Sequence, residues 1–328
     1  MKAVVCTAYG SPKHLQIQEV PLPVPKDNEI LVEVHASTVT TADTMMRRAD
    51  PFISRLFLGL FKPKNGRMGT GFAGVVAAVG PKVKDFEPGD AVFGETGVAF
   101  GANAEYVTIA EDYVVTHKPE SVSFEAAATM TDGPMTSLNF LTNVHQLKAG
   151  QHVLINGASG SLGTAAIQLA KHMGTEVTAV CGPKNAELVR SLGADHVIDY
   201  HQTDFTTTGD TYDVIYDTVG KRSFAECKPA LKATGAYISP VLNIKLLFNM
   251  LFTKKGKGKS ASFEATGLQP ANVLRPMLEK LANMLEDNQL EVVIDRQYPL
   301  AEAPTAHEYV DTGHKRGNVV LAVKATAA

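Results

Sequence analysis

The chain has 328 residues, 45% of them hydrophobic, which is more than one core usually holds and makes two domains the expectation. A formal charge of -3 and a pI near 6.4 leave no overall positive field for a nucleic-acid backbone, so nucleic acid is excluded as the default partner. Three dispersed cysteines, Cys6, Cys181 and Cys227, exclude a disulfide framework or a four-cysteine metal knot and fit a reducing compartment.

The opening "MKAVVCTAYG" lacks the basic and continuous apolar regions of a secretory signal, and no stretch reaches the roughly 18–20 apolar residues that span a bilayer. A cytoplasmic location without a permanent membrane anchor is expected. About the first 120 residues read as short strands and loops: "AVVCTAY", "EILVEVHAS", "GFAGVVAAVG", "FEPGDAVFGE" and "NAEYVTIAEDYVVTHKP" predict a curled sheet or small barrel. The period turns helical at "SFEAAATMTDGPMTSLNFLTNV". From about Gln151, apolar strands alternate with helices through "HVLIN", "TEVTAVC", "HVID", "YDVIYDTV" and "AYISPVL", the pattern of a parallel sheet covered by helices on both faces. The tail supplies the helical "NVLRPMLEKLANMLEDNQL", then "VVIDRQYPL", a short helix around "AEAPTAHEYV" and the strand "GNVVLAVK". This is too little for an independent core, so the chain is expected to return and complete its first domain. The expected division is 1–123 with 267–328, and 124–266.

The run "NGASGSLGTAAIQLAK" follows the strand-like Val153, Leu154 and Ile155. Gly157 suits a tight turn, Gly160 a close approach of pyrophosphate, and Gly163 close helix packing. Backbone groups of Gly157, Ser159, Gly160, Ser161, Leu162 and Gly163 form the expected phosphate cradle at a helix N-terminus. A purely steric βα turn is the alternative. No glycine-lysine-serine/threonine sequence follows, which argues against a triphosphate P-loop. About 20 residues on, "VTAVCGPKNAEL" has no acid at the strand end that would hold a ribose, while Lys184 is available to an extra 2'-phosphate. NADP(H) is therefore the expected cofactor, with a merely solvated Lys184 as the plain alternative.

With these pieces in order, the chain resembles a zinc-independent quinone oxidoreductase of the medium-chain dehydrogenase/reductase superfamily over essentially its whole length. The resemblance rests on "GFAGVVAAVG", "FEPGDAVFG", "AEYV", "NGASGSLGTAAIQLAKHMG", "LVRSLGADHVIDY", "YDVIYDTVG" and "GHKRGNVVL". It implies an α/β chain in which a GroES-like β-barrel catalytic domain is interrupted by a Rossmann domain, usually as a homodimer. It also implies that Thr136 lies by the nicotinamide end, that Lys184 and Tyr200 surround the 2'-phosphate, and that Arg316 and Asn318 contact cofactor. An ordinary strand-end aromatic at Tyr200 and a surface ion pair at Arg316 stay open. Asp43 is either an edge of the substrate site or a local capping group. In "ASTVTTAD", Thr40 and Thr41 stand where many relatives have asparagine and proline. Thr40 remains a candidate cofactor contact through its shorter hydroxyl.

The nearest competitor is a zinc alcohol dehydrogenase, which needs cysteine, histidine and acidic ligands to polarise an alcohol oxygen. Its glycine-histidine-glutamate site corresponds to "GTGF" here, with Thr70 and Gly71 in place of the polar pair. No metal is expected. His35, His145 and His307 have no ligand spacing and read as surface or packing residues, and Ser159 in "GASGS" does not form a nucleophile elbow. The expected chemistry is metal-free hydride transfer from NADPH to a small hydrophobic quinone, or alternatively to an enone or other activated alkene. No catalytic acid is assigned. A non-catalytic nucleotide-binding or interaction protein is the alternative outside enzymology. Last, "VLNIKLLFNMLFTKKGKGKS", residues 241 to 260, joins an apolar run to lysines. Leu247 and Phe248 are expected at an apolar substrate mouth, with a core strand, a subunit contact and a membrane surface as competing uses.

Overall fold

A computed structural model describes residues 1–50, 52–253 and 257–324. The chain opens with β1 (Lys2–Cys6), paired antiparallel with β2 (Leu15–Glu19) in a two-stranded sheet. The hub of the first unit is β3 (Glu29–Thr38), whose sequence EILVEVHAST buries Ile30, Val32 and Val34. Helix α1 (Thr41–Arg48) follows at once, then the single turn α2 (Arg55–Leu58), β4 (Gly71–Val79), β5 (Ala91–Glu95), β6 (Tyr106–Ala110), β7 (Val114–His117) and α3 (Phe124–Ala128). One edge of β3 pairs with β4, while Glu29–Glu33 on the other edge pair with β6. Ile30, Val32, Phe72, Val92, Val107 and Val115 form the core of this curled sheet.

The second unit begins with α4 (Gly133–Asn139) and alternates strand and helix: β8 (His152–Asn156), α5 (Ser161–His172), β9 (Glu176–Cys181), α6 (Ala186–Ser191), β10 (His196–Asp199), β11 (Tyr212–Asp217), α7 (Phe224–Cys227), β12 (Leu231–Ser239), α8 (Ile244–Phe252) and β13 (Ser260–Phe263). All pairings in its six-stranded sheet are parallel, in the order β10-β9-β8-β11-β12-β13. This is the doubly wound Rossmann order, in which the strand sequence reverses between β8 and β11. Apolar runs buried on both faces, such as VLI in β8 and VIY in β11, are what a helix-covered parallel sheet requires. The reversal sets the site at the carboxyl ends of these two strands.

The tail contributes α9 (Ala271–Glu286), β14 (Ile294–Pro299), α10 (Ala303–Asp311) and β15 (Asn318–Ala322). β15 lies antiparallel against β3, with Val320 opposite Thr38, and parallel against β14. The first unit's seven-stranded sheet is thus β14-β15-β3-β4-β5-β7, with β6 also on β3. The compact units are Met1–Asp132 with Leu268–Asp287 and the segment from Ile294 onward, and Gly133–Gly267 with Asn288–Val293. The fold is a GroES-like N-terminal domain with a Rossmann-type nucleotide-binding domain.

Candidate functional site

The glycine turn joins β8 to α5. Gly157 has φ +79°, and a side-chain carbon there would collide with Thr218 and Val219 at the end of β11. Glycine is required on both counts. Gly160 is the N-cap of α5 and has open space, the nearest atom to an added carbon being Gly157 O at 3.6 Å. Gly163 lies so close to the turn that a side chain would strike Gly157 O and Ala158. Three glycines therefore do three different jobs: a left-handed turn, an open cradle, and close packing of the helix. Ser159 is half-buried and its hydroxyl accepts from Asn185 Nδ2 at 3.0 Å, while Ser161 is buried at the helix start. Leu162 is half-buried, and its carbonyl accepts from Ser137 Oγ at 2.8 Å on α4. A side chain at Gly133 would collide with Ser161, so the start of α4, which carries the half-buried Thr136, is seated on the start of α5.

At the next strand end the structure brings Gly182 and Tyr200 together. Tyr200 N donates to Cys181 O at 3.3 Å, its hydroxyl lies against Gly182, and its ring is 52% exposed. Lys184, exposed in the turn Pro183–Asn185, shares this corner. An exposed phenol and an exposed ammonium beside a strand end are both donors that an anion can use, since neither group is committed to the core.

Sequence reasoning missed Asp217. It is fully buried at the end of β11, and its carboxylate collects five donors. Oδ1 accepts from Asn156 Nδ2 at 2.9 Å and from Val219 N and Gly220 N at 3.1 Å; Oδ2 accepts from Tyr237 hydroxyl at 2.9 Å and Arg222 N at 3.3 Å. A buried carboxylate is tolerated when it is saturated in this way. Its sequence mark is an acid that ends the apolar run "YDVIYD", and Asp213 in the same strand shows that such an acid alone does not single it out.

In the first unit, Thr40 and Asp43 form a capping box at α1. Asp43 Oδ2 accepts from Thr40 N and Thr40 Oγ1, both at 2.8 Å, and Asp43 N donates to Thr40 Oγ1 at 3.0 Å. Of the alternatives for Asp43, local capping is what the structure contains. The hydroxyl proton of Thr40 is committed to Asp43, which leaves that oxygen a lone pair to offer a donor. Asp43 Oδ1 and Glu95 Oε2 are buried without a hydrogen-bond partner among the described residues. Burial, with repulsion from Asp132, pushes Asp43 up to about 6, and burial with repulsion from Asp132 and Asp43 pushes Glu95 up to about 8. Burial also raises Asp132, partly offset by the Lys315 ammonium. This acid cluster escaped the sequence reading, although Glu95 ends an apolar strand and Asp132 interrupts an apolar helical stretch.

Of the remaining candidates, Arg316 is exposed and its backbone N–H donates to Asp295 Oδ2 at 2.8 Å. Asn318 begins β15 and is buried. His307 is completely buried against the charges of Arg47 and Arg48, and His35 packs 4.3 Å from the Phe124 ring, so both serve packing. Helix α8 exposes Leu247 and Phe248; this segment is a helix, not the core strand considered as its plain alternative. In the lysine-rich segment after it, residues 254–256 lie outside the described residues.

A zinc donor set does not fit. At Gly71 any side-chain carbon would collide with Thr131 Oγ1 and sit 3.0 Å from Thr38 Oγ1, leaving no room for a glutamate. The three cysteines are buried apart, and burial pushes the Cys181 and Cys227 thiols up to about 11 and about 12, away from the thiolate that zinc binds. Among the described residues no three acidic, histidine or cysteine side chains are grouped to hold a metal ion. No helix of the described residues is long and apolar enough to cross a membrane.

Two family descriptions match the chain: "Alcohol dehydrogenase GroES-like domain" over residues 26–120 and "Zinc-binding dehydrogenase" over residues 192–321. Among curated proteins, it is 31% identical to the 2-methylene-furan-3-one reductase of Solanum lycopersicum, across 98% of this chain and 79% of the relative. Among solved structures, the quinone oxidoreductase from Coxiella burnetii is similar at 32% identity and a TM-score of 0.87, with 99% of both chains covered. The Escherichia coli quinone oxidoreductase complexed with NADPH is similar at 25% identity and a TM-score of 0.84, covering 98% of this chain and 100% of the other.

Proposed function

Because the chain belongs to the medium-chain dehydrogenase/reductase superfamily, as an NAD(P)H-dependent oxidoreductase related to the quinone oxidoreductases, we propose that it reduces small hydrophobic quinones with NADPH, without zinc. The observation that carries the metal-free chemistry is Gly71, where the packing of Thr38 and Thr131 leaves no space for a metal-supporting carboxylate. The full-length likeness to the Coxiella burnetii quinone oxidoreductase supports the substrate class.

When bound, the reduced nicotinamide supplies a hydride for an electron-poor carbon or ring. The chain's part is to bind and orient. Gly157, Ser159, Gly160, Ser161, Leu162 and Gly163 would hold the pyrophosphate, aided by the N-terminus of α5. Lys184 and Tyr200 would take the adenosine 2'-phosphate, and the likeness to an NADPH-bound quinone oxidoreductase supports that preference. Thr136, Thr40, Arg316 and Asn318 complete the proposed cofactor contacts. Thr40 is held in one orientation by Asp43, so it meets a ribose hydroxyl as an acceptor. Glu95 keeps its proton at neutral pH, so the buried acid cluster stores a proton without a full set of negative charges. Leu247 and Phe248 offer an apolar edge to a hydrophobic substrate.

Reduction of an activated carbon–carbon double bond is the second reading, favoured by the likeness to the Solanum lycopersicum furanone reductase. A panel of quinones and enones, assayed with NADPH and NADH and followed to products, separates the two. Quinone turnover above enone turnover is expected; robust enone reduction with no quinone reduction would reverse the ranking. A homodimer belongs to the same reading and is checked by light scattering.

A further inference from the structure

Helix α8 turns its apolar face to water. Its sequence IKLLFNMLF places Ile244, Leu247, Phe248, Leu251 and Phe252 at the i, i+3, i+4, i+7, i+8 spacing of a single helix face. Their exposures run from 44% at Leu247 to 82% at Phe252. The other side does the packing: Leu246 is buried in the core of the second unit, and Met250 lies against the same cluster. An amphipathic helix on a protein surface ordinarily buries its broad apolar stripe and leaves its polar side wet. Here the broad stripe is the wet one, and a contiguous exposed patch of this kind marks a contact with something apolar.

The surrounding charge says what that contact is. Between Cys227 and Phe263 the sequence has seven lysines and neither aspartate nor glutamate, within a chain whose formal charge is -3. Lys245 lies within α8 and Lys257 is exposed beyond it, whereas Lys232 is paired with Asp213 at 2.7 Å and Lys259 Nζ donates to Lys228 O at 2.7 Å. Glu226 is the carboxylate that feels Lys245, and it is already bound to the Ser223 hydroxyl and backbone. An apolar stripe with a lysine on the same helix and another exposed just beyond it matches the boundary between headgroups and acyl chains of an anionic bilayer, where tails take the stripe and lipid phosphates take the ammonium groups. A second copy of the chain is a poorer match. A helix of this length is about 14 Å long and about 10 Å wide, so its face covers about 140 Å², against roughly 800 Å² per partner in a standard stable interface. Pairing two such faces would also bring lysines against lysines.

We propose that α8 is an interfacial helix that seats the protein reversibly on anionic membrane surfaces. Its apolar stripe enters the headgroup boundary, and Lys245, with Lys257 just beyond the helix, meets lipid phosphates. The contact reaches beyond the enzymatic reading and does not rest on it; Leu247 and Phe248, proposed there as an apolar edge for substrate, belong to the same stripe, and the double variant that tests the contact leaves both in place.

The chain contains no tryptophan, so Phe252→Trp creates a single fluorescent reporter in the stripe. On titration with vesicles of phosphatidylcholine containing one third phosphatidylglycerol, its emission is expected to move to the blue and to be quenched by lipids brominated along the acyl chain. Binding to pure phosphatidylcholine, or in high salt, is expected to be at least ten-fold weaker. Co-sedimentation of the unaltered chain gives the same reading without the reporter. Ile244→Ser with Leu251→Ser, both exposed positions, is expected to reduce vesicle binding at least ten-fold and leave thermal unfolding unchanged. Absence of binding to any vesicle overturns the proposal. So does full binding by the double variant, which would move the contact to the exposed Phe52, Leu56, Leu60 and Phe61 of the first unit. Emission already blue-shifted without lipid, and red-shifting as the protein dissociates on dilution, would assign the stripe to a second copy instead.

Discussion

The Asp217 carboxylate accepts the Asn156 amide at 2.9 Å, tying together the ends of two neighbouring parallel strands where the glycine turn begins. The same carboxylate holds the backbone of Val219 and Gly220, and Val219 is one of the residues that forces glycine at position 157. One buried side chain therefore fixes the loop after β11 and the wall of the turn after β8. Asp217→Asn replaces an acceptor with a donor at a site of five donors, so at least one buried N–H or O–H loses its partner. A loss of about 2–4 kcal/mol is expected, seen as a melting temperature lower by several degrees in calorimetry, together with weaker NADPH binding. Unchanged melting would show that the network carries no such load.

The turn itself makes two opposite demands on two glycines. Gly160→Ala meets no atom closer than 3.6 Å, so the apo protein is expected to melt as before while its NADPH dissociation constant rises at least ten-fold, about 1.4 kcal/mol. Gly157→Ala puts a side chain at φ +79° against Thr218 and Val219, and is expected to lower the melting temperature outright. Paired calorimetry and cofactor titration on the two variants check the contrast; equal melting for both would contradict it.

Much of this site was legible because glycine periodicity, a preceding apolar strand and a following helix are local signals. The parallel sheet was legible for the same reason, as apolar runs separated by helical segments. What was not legible is what two distant segments do to each other. Asp217 and Asn156 are far apart in sequence, and nothing local distinguishes Asp217 from any acid at a strand end. Glu95 and Asp132 likewise become unusual only when folding takes water away from both. Helix α8 was ambiguous for a different reason: a nine-residue apolar run satisfies strand and helix patterns alike, and only its neighbours decide.

The proposed preference for NADPH assigns cofactor choice to the corner formed by Lys184, Gly182 and Tyr200. Lys184→Ala removes the ammonium and leaves the fold untouched, because the side chain is exposed. The expected result is a smaller ratio of NADH to NADPH dissociation constants, with NADH affinity itself little changed. Equal affinity for the two cofactors before substitution would reject this basis for specificity.

The acid cluster has a signature in stability against pH. The unfolded Glu95 carboxyl ionises near 4.5, but the folded one keeps its proton up to about 8. Between those values the unfolded state releases a proton that the folded state retains, so Glu95 lowers stability as pH rises and the effect levels off above about 8. Glu95→Gln removes this penalty. Its melting temperature relative to the unaltered chain is expected to climb from pH 5 to pH 8; a constant difference would mean that Glu95 is ionised in the fold.

His307 has the reverse sign. Its burial, with Arg47 and Arg48 nearby, holds the imidazole down at about 3, below the ordinary 6.5. The unfolded state binds a proton across that interval and the folded state does not, so stability is full above about 6.5 and falls as the pH drops toward 3. His307→Leu is expected to flatten the loss between pH 6.5 and pH 4.5 in urea melts. An unchanged slope would assign acid sensitivity to other groups.

The division of the first unit between the two ends of the chain bears on its synthesis. β3 is made early, yet its neighbour β15 is the last of the described strands to be translated. The six-stranded sheet of the second unit is complete once β13 leaves the ribosome, so it can fold while the β3 edge still waits for its partner. During that interval Ala36, Ser37 and Thr38 present unpaired backbone groups to the cell, and a ribosome stalled before residue 318 would release a chain with a finished nucleotide fold and an open sheet edge. Truncation at the carboxyl end therefore threatens the domain that begins the chain more than the one in its middle.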